Sequence, residues 1–409
     1  VLTLFKSLPY ILKVQKKLDR MTLVLRERFI GAKIIRAFDN SKKERDKFND
    51  VAQEYTDNYI IINKKFALLS PMAFALMSVV ITLIIFFGAM KVLNNTLEIG
   101  SITAIVEYSL TTIAALIMSS MVLVQMPKAV VSIERIEEVL NVTSEIKDKE
   151  ELKDNSYYED ILKQNPISLT FDNVCFRYKG AEKQILKNIS FSIKAGERFA
   201  IVGATGSGKS TIAKVLLRLN DIESGRILIN GVDALDLPLN CLRNQISYTP
   251  QKAYIFSGKI KDNFRFTNKN MTDEEMIKIA KIAQSYDFID SLPDKFDSFV
   301  AQGGINFSGG QKQRLSIARA LSKDANIYLF DDSFSALDYA TDAKLRKELK
   351  TFLKDKITII IAQRLNTIAD ADKIIVLKDS EITGMGTHQE LLESNQEYIE
   401  LAKSQGILE

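Results

Sequence analysis

Nine consecutive residues carry the densest chemistry in the chain: Gly203, Ala204, Thr205, Gly206, Ser207, Gly208, Lys209, Ser210 and Thr211. They fit the spacing G-x-x-x-x-G-K-[ST]. Glycines in such a loop let backbone N–H groups point at phosphate oxygens without a Cβ in the way. A lysine at the seventh position reaches the β- and γ-phosphates, and the serine after it can hold Mg²⁺. The flanks agree with this chemistry. Arg198–Val202 is a short apolar run that reads as a buried strand, and residues 212–219 place apolar side chains at helical spacing. A helix starting at the loop would add the positive end of its dipole to the phosphate site.

Three further groups could serve the same chemistry. Ile327–Asp331 is an apolar strand ending in a carboxylate, and Asp332 follows it. Phe307, Ser308, Gly309, Gly310 and Gln311 precede a helical stretch and offer a second set of N–H groups at a helix start. Gln251 follows a short strand in the run Thr249–Gln251.

The elements that must position these groups fall into two parts. At 409 residues the chain has room for two or more domains. Residues 1–65 are rich in charge, with apolar residues at helical spacing. They read as one or two long helices in water, broken near Gly31. Phe66–Met90 contains no charged residue and is long enough to cross a bilayer of ~30 Å. Pro71 is expected to kink it. A second apolar run, Ile99–Met126, follows a short polar loop, and its one charge is Glu107, near the outer end of the run. Lys64 and Lys65 precede the pair and Lys128 and Arg135 follow it, so the flanks are expected on the cytoplasmic face. Helix continues over Ala129–Leu140. Residues 141–165 read as a linker, with a domain boundary near Pro166. Beyond it, short apolar runs alternate with helical stretches, which implies a parallel sheet wrapped by helices.

Composition narrows the remaining classes. Net charge is +4, too little to argue for nucleic acid as a partner. The two cysteines, Cys175 and Cys241, form no spacing motif and fit a reducing compartment. There is a single histidine, His388. The chain opens on Val1 inside an apparent helix, which reads as a truncation.

The order and spacing of Gly203–Thr211, Gln251, Phe307–Gln311, Ile327–Asp332 and Ser335–Asp338 resemble an ABC ATPase, from about Pro166 to the C-terminus. The two preceding runs resemble the last two spans of the six-span half of an ABC exporter. The fold this resemblance implies is an α-helical transmembrane segment with cytoplasmic helices (residues 1–140, spans about 66–90 and 99–126), then a linker (141–165) and an α/β P-loop ABC ATPase domain (166–409). It implies ATP and Mg²⁺ as cofactors, a multi-pass location in the plasma membrane with the ATPase domain cytoplasmic, a transported substrate that the residues do not name, and a second exporter subunit as partner. The stretch Phe29–Phe38 is the candidate coupling helix. By the same resemblance Tyr178 stacks on adenine, and Ser210, Gln251 and Asp331 serve the metal. Gln251 couples to the membrane domain. The run Phe307–Gln311 is the signature motif, usually LSGGQ, that contacts the γ-phosphate held by the other subunit. Asp338 is the D-loop carboxylate, and Val300–Gly304 stands where exporters have their X-loop.

Two positions depart from that family. Where it has a Glu after the Walker B Asp, this chain has Asp332, one methylene shorter. Where it has a switch His after the last buried strand, this chain has Gln363, which cannot carry the charge a histidine can. Misplacing a catalytic group by ~1 Å can cost on the order of 10²-fold. Both departures fall at the site containing this chain's own P-loop, whereas the signature motif, which serves the opposite site, is intact. That distribution resembles heterodimeric exporters with one degenerate and one competent site. The alternatives are a homodimeric exporter, or a membrane module gated by ATP occupancy with little turnover. A soluble ABC protein acting on ribosomes or DNA fits poorly with two apolar runs and a single ATPase domain.

Overall fold

The computed structural model describes residues 2–149, 155–162 and 167–408. The expected boundary at Pro166 lies outside them. The chain divides into two compact units, Val1–Thr143 and Ser144–Glu409.

The first unit is entirely helical: α1 (Leu2–Ile30), α2 (Ala32–Ala37), α3 (Ser41–Ala67), α4 (Leu69–Leu93) and α5 (Ile99–Leu140). Gly31 interrupts the first two as expected. A second break at Phe38–Asn40, with Asp39 at φ 50°, was not legible as a glycine or proline signal. It turns the chain so that α3 runs back along α1. The ion pairs Lys17–Glu54 and Glu27–Lys47 (3.4 Å) set the two helices antiparallel, with Val24 and Val51 buried. The first apolar run straddles two helices. Helix α3 ends at Ala67, and Pro71 stands in the first turn of α4, where its missing N–H breaks no intrahelical bond. Pro71 therefore does not kink a helix that began at Phe66. Pro71–Leu93 and Ile99–Leu116 are long and apolar enough to cross a membrane. Helix α5 is continuous over 42 residues, about 60 Å.

In the second unit α6 (Asn155–Leu162) precedes β1 (Ser168–Phe176) and β2 (Leu186–Lys194). Strand β3 (Arg198–Gly203) leads through the glycine loop into α7 (Lys209–Leu216). Next come β4 (Ser224–Ile229), β5 (Val232–Asp233), α8 (Leu239–Asn244) and β6 (Ile246–Thr249). A mostly helical stretch follows: β7 (Gly258–Lys259), α9 (Ile260–Phe264), α10 (Asp273–Ile282) and α11 (Tyr286–Asp290), closed by β8 (Phe299–Val300). The last part comprises α12 (Gly309–Leu321), β9 (Ile327–Asp331), α13 (Tyr339–Phe352), β10 (Ile357–Ile361), β11 (Lys373–Lys378), β12 (Glu381–Gly386), α14 (His388–Ser394) and α15 (Gln396–Ser404).

The main sheet has the order β12-β11-β3-β10-β9-β6, parallel except for the edge strand β12. Its central strands are buried on both faces, which is why they read as unbroken apolar runs. Along β3, Phe199 and Ile201 face one core while Ala200 and Val202 face the other. A second, antiparallel sheet, β2-β1-β4-β5, packs on the first of these cores. It departs from the purely parallel expectation. Within the expected linker, helix α6 packs Tyr158 and Leu162 into the same core.

Candidate active site

Parallel strand order decides where the chemistry collects. Strands β3, β10, β9 and β6 all end at the same edge of the sheet, the edge where open α/β sheets bind ligands. The loops leaving those ends carry Gly203–Thr211, Gln363, Asp331–Asp332 and Gln251 respectively. A cavity of about 240 Å³ is lined by Thr205, Gly206, Gly208, Lys209, Ser210, Thr211, Gln251, Asp331, Asp332 and Gln363, with Ile185 and Ile361.

The loop geometry fits phosphate. Gly208 lies at φ 103°, and a Cβ there would stand 2.7 Å from the Ile185 carbonyl oxygen, so the turn into α7 requires glycine. Lys209 is buried, and its Nζ donates to the carbonyls of Gly203 and Ala204, each at 2.8 Å. Burial lowers its pKa, opposed by the carboxylates of Asp332 and Asp331. Ser207 Oγ is buried with no partner of its own.

The groups expected at the metal converge. Ser210 Oγ donates to Asp331 Oδ1 at 3.0 Å, and the Tyr248 hydroxyl donates to Oδ2 at 3.3 Å. Burial raises the Asp331 pKa, partly offset by those two hydrogen bonds, and the Asp332 carboxylate raises it further. Burial and the Asp331 carboxylate hold the Tyr248 phenol well above its ordinary value, so it stays a donor. A hydroxyl and a carboxylate meeting beside a phosphate cradle suit Mg²⁺, which takes one or two protein ligands plus phosphate oxygens and water. Among the described residues no group of three or more His, Cys, Asp or Glu forms an all-protein cage.

Asp332 takes up φ 47°, a left-handed conformation that Asp tolerates better than most residues. Its N–H donates to Ile361 O at 2.8 Å, and its Oδ2 accepts from Gln251 Nε2 at 3.1 Å. Gln363 is exposed at the cavity wall.

Tyr178 is half-buried and is not in the cavity wall. Its hydroxyl lies 3.4 Å from Thr211 Oγ1 and accepts from Lys214 Nζ at 3.3 Å, beside the P-loop helix. The signature stretch is also absent from the wall. Ser308 caps α12 in a reciprocal capping box: Gln311 N–H donates to Ser308 Oγ (3.3 Å) and Ser308 N–H to Gln311 Oε1 (2.9 Å). Phe307, the departure from Leu at the first position, fills a slot in the apolar core. Asp338 caps α13 through Thr341 N–H at 2.9 Å, which lowers its pKa. His388 Nδ1 pairs with the Tyr398 hydroxyl at 2.6 Å, a contact between α14 and α15.

Tyr248 and Ile185 were not anticipated at the site. Tyr248 is the one half-buried residue of β6 and stands three positions before Gln251, a signal that could have flagged it.

A nucleotide-phosphate site at the carboxyl edge of a parallel sheet, joined in one chain to helices of membrane-crossing length, defines a membrane-bound P-loop ATPase. Comparison with known proteins gives the family. Residues 186–335 match the ABC transporter family, and residues 9–116 match the ABC transporter transmembrane region. An uncharacterized ABC transporter ATP-binding protein of Mycobacterium bovis is 34% identical over 98% of this chain and 68% of its own length. An ATP-dependent lipid A-core flippase of Desulfotalea psychrophila is 33% identical over 94% of this chain and 66% of its own length. The solved structure of a bacterial Atm1-family ABC exporter with ATP bound superposes with a TM-score of 0.84 at 29% identity, over 99% of this chain and 70% of that one. The chain thus spans about two thirds of the length of the relatives it matches. It belongs to the ABC transporters of the exporter type: a helical transmembrane region followed by the ABC ATPase domain, whose ATP hydrolysis is coupled to transport.

Proposed function

We propose that this chain is one half of a heterodimeric ATP-driven exporter, in which its own P-loop site holds ATP and hydrolyses it slowly. In this reading residues 1–140 belong to the membrane domain, 141–165 link, and 166–409 form the ATPase domain. The domain faces the cytoplasm and the spans lie in the plasma membrane. Lys209 would turn from the loop carbonyls to the β- and γ-phosphates. Ser210 and Asp331 would hold Mg²⁺, with Gln251 beside them, and Tyr178 would stack on adenine. When bound, the metal neutralises charge on the transferred phosphoryl group. The signature residues Ser308 and Gly310 would complete the partner's site, and the exposed apolar side chains Phe29, Ile30, Ile34 and Phe38 around α2 would dock on the partner.

One observation carries the reading. Asp332 and Gln363, the two departures, line the same cavity as the intact P-loop. The losses therefore gather at one nucleotide, while the capping box of the signature helix is complete. A homodimer, in which Asp332 is itself the working carboxylate, is the reading supported by the hydrogen bond that holds Asp332 beside Gln251.

The test is ATP turnover by the full-length chain assembled with its partner. Removing the partner's Walker B glutamate should abolish turnover, while Asp332→Glu here should raise it or leave it near the wild-type rate. Turnover that survives the partner change and disappears in Asp332→Ala would establish Asp332 as the working base. Full transport by an assembly of this one kind of subunit would also exclude the heterodimer.

A further inference from the structure

Gln405 lies 42 residues beyond Gln363 in sequence, yet its side-chain amide brackets the loop that carries Gln363. Gln405 Nε2 donates to the Gln363 carbonyl at 2.8 Å, and Gln405 Oε1 accepts from the Leu365 N–H at 2.9 Å. A donor and an acceptor from one planar amide thus bond two backbone groups two residues apart, as a neighbouring strand would. Upstream, Ala362 N–H donates to Ile201 O at 3.1 Å, and downstream the Leu365 side chain is fully buried. Gln363 and Arg364 are the exposed residues between these two fastenings, and Gln363 is the one that lines the nucleotide cavity.

Gln405 is itself held in place. Tyr398 and Ala402 anchor α15 with no exposed surface. The helix ends in a paired termination: Gly406, at φ 66°, donates to Lys403 O at 3.0 Å, and Ile407 N–H donates to Ala402 O at 3.0 Å. Ile407 packs on the core beyond the turn. The geometry therefore places a rigid amide against a loop whose other backbone bonds, from Thr367 N–H to Arg364 O at 3.2 Å and from Ile368 N–H to Leu365 O at 3.0 Å, lie on its downstream side and leave the Gln363 carbonyl to Gln405.

We propose that Gln405 is a positioning residue for the nucleotide site: its amide fixes the backbone of residues 363–365 and so sets where Gln363 stands beside bound ATP. This rests on the reading that Gln363 acts at the nucleotide. The end of the ATPase domain, through α15, then determines how firmly this chain retains ATP. The clamp needs both halves of the amide. Glutamate keeps the acceptor for Leu365 and loses the donor to Gln363, and leucine loses both.

The test uses the full-length chain assembled with its partner in lipid nanodiscs. The readouts are the release rate of a photoactivatable ATP analogue from this chain and the thermal midpoint. Gln405→Leu should speed release by roughly two- to tenfold, the scale of one or two net hydrogen bonds, and Gln363→Ala should do the same. The double variant Gln363→Ala/Gln405→Leu should release no faster than Gln363→Ala, because the second change has nothing left to misplace. Gln405→Glu, which preserves the bond that fastens Leu365, should fall between wild type and Gln405→Leu with an unchanged midpoint. If Gln363→Ala speeds release and Gln405→Leu does not, the positioning role is wrong and the role of Gln363 stands. Additive effects in the double variant would make Gln405 a general stabiliser and overturn the proposal. A silent Gln363→Ala removes the reading beneath it, and the proposal with it.

Discussion

Asp331 sits under opposing electrostatic influences. Burial works against its charge, Ser210, Tyr248 and the Lys209 ammonium support it, and Asp332 beside it opposes it again, leaving its pKa raised from the ordinary aspartate value. The sign follows directly. A carboxylate raised in the folded state costs stability while it is ionised, and the empty domain gains from this group as pH falls through its pKa. Metal binding behaves in the opposite way, because the cation needs the charge and the proton removes it. Affinity for MgATP should therefore fall on acidification, starting above the pH at which an ordinary aspartate titrates. Below the raised pKa it should lose about tenfold per pH unit for the one proton involved. Titration calorimetry over a pH series on wild type and Asp331→Asn separates this from titration of the nucleotide, which both proteins share. Equal slopes in the two would assign the pH effect to another group.

Among elements, α15 is capped and tied to the sheet by one side chain. Asn395 Oδ1 accepts from Tyr398 N–H at 2.9 Å and caps the helix, while Nδ2 donates to Thr383 O at 3.0 Å and ties it to β12. Asn395 is buried, so Asn395→Ala leaves a buried N–H and a carbonyl without partners. The expected cost is about 1–3 kcal/mol, read as a lower thermal midpoint of the ATPase domain. An unchanged midpoint would show that the cap contributes nothing. The same scale explains what the sequence made legible. The strand, glycine loop and helix around Lys209 are contiguous, and buried parallel strands such as β9 and β10 leave unbroken apolar runs, so these elements could be read directly. Strand β1 leaves no unbroken apolar run, because Asp172 and Asn173 interrupt it where Asn173, at φ 51°, bulges the strand between Phe171 and Val174. The sheet it pairs into was then missed. Helix α6 sits in a polar stretch whose core contacts, Tyr158 and Leu162, are too few to set a period. The approach of Gln405 to the loop of Gln363 depends on how α15 docks, which no local spacing encodes.

At the scale of the whole molecule, the site residues lie in two places on one chain. The P-loop, Gln251, Asp331, Asp332 and Gln363 share a cavity, while Ser308 to Gln311 start a helix that contributes nothing to its wall. A glycine-rich helix start offering free N–H groups binds anions, and in the proposed heterodimer its anion is the ATP of the other subunit. Gly309 gives a clean way to separate the two sites. A Cβ at Gly309 would meet nothing within 4 Å, and the residue opens α12, where an acidic side chain suits the helix dipole. Gly309→Asp should therefore leave this chain's fold, thermal midpoint and ATP labelling intact. It would, however, present a carboxylate to phosphates arriving from the partner. Turnover of the assembled pair should fall on the order of 10²-fold or more, the scale of losing an oriented donor at a developing charge. If labelling of this chain falls instead and partner turnover survives, Ser308 to Gln311 serve the P-loop of their own chain, and two chains need not share the nucleotide sites.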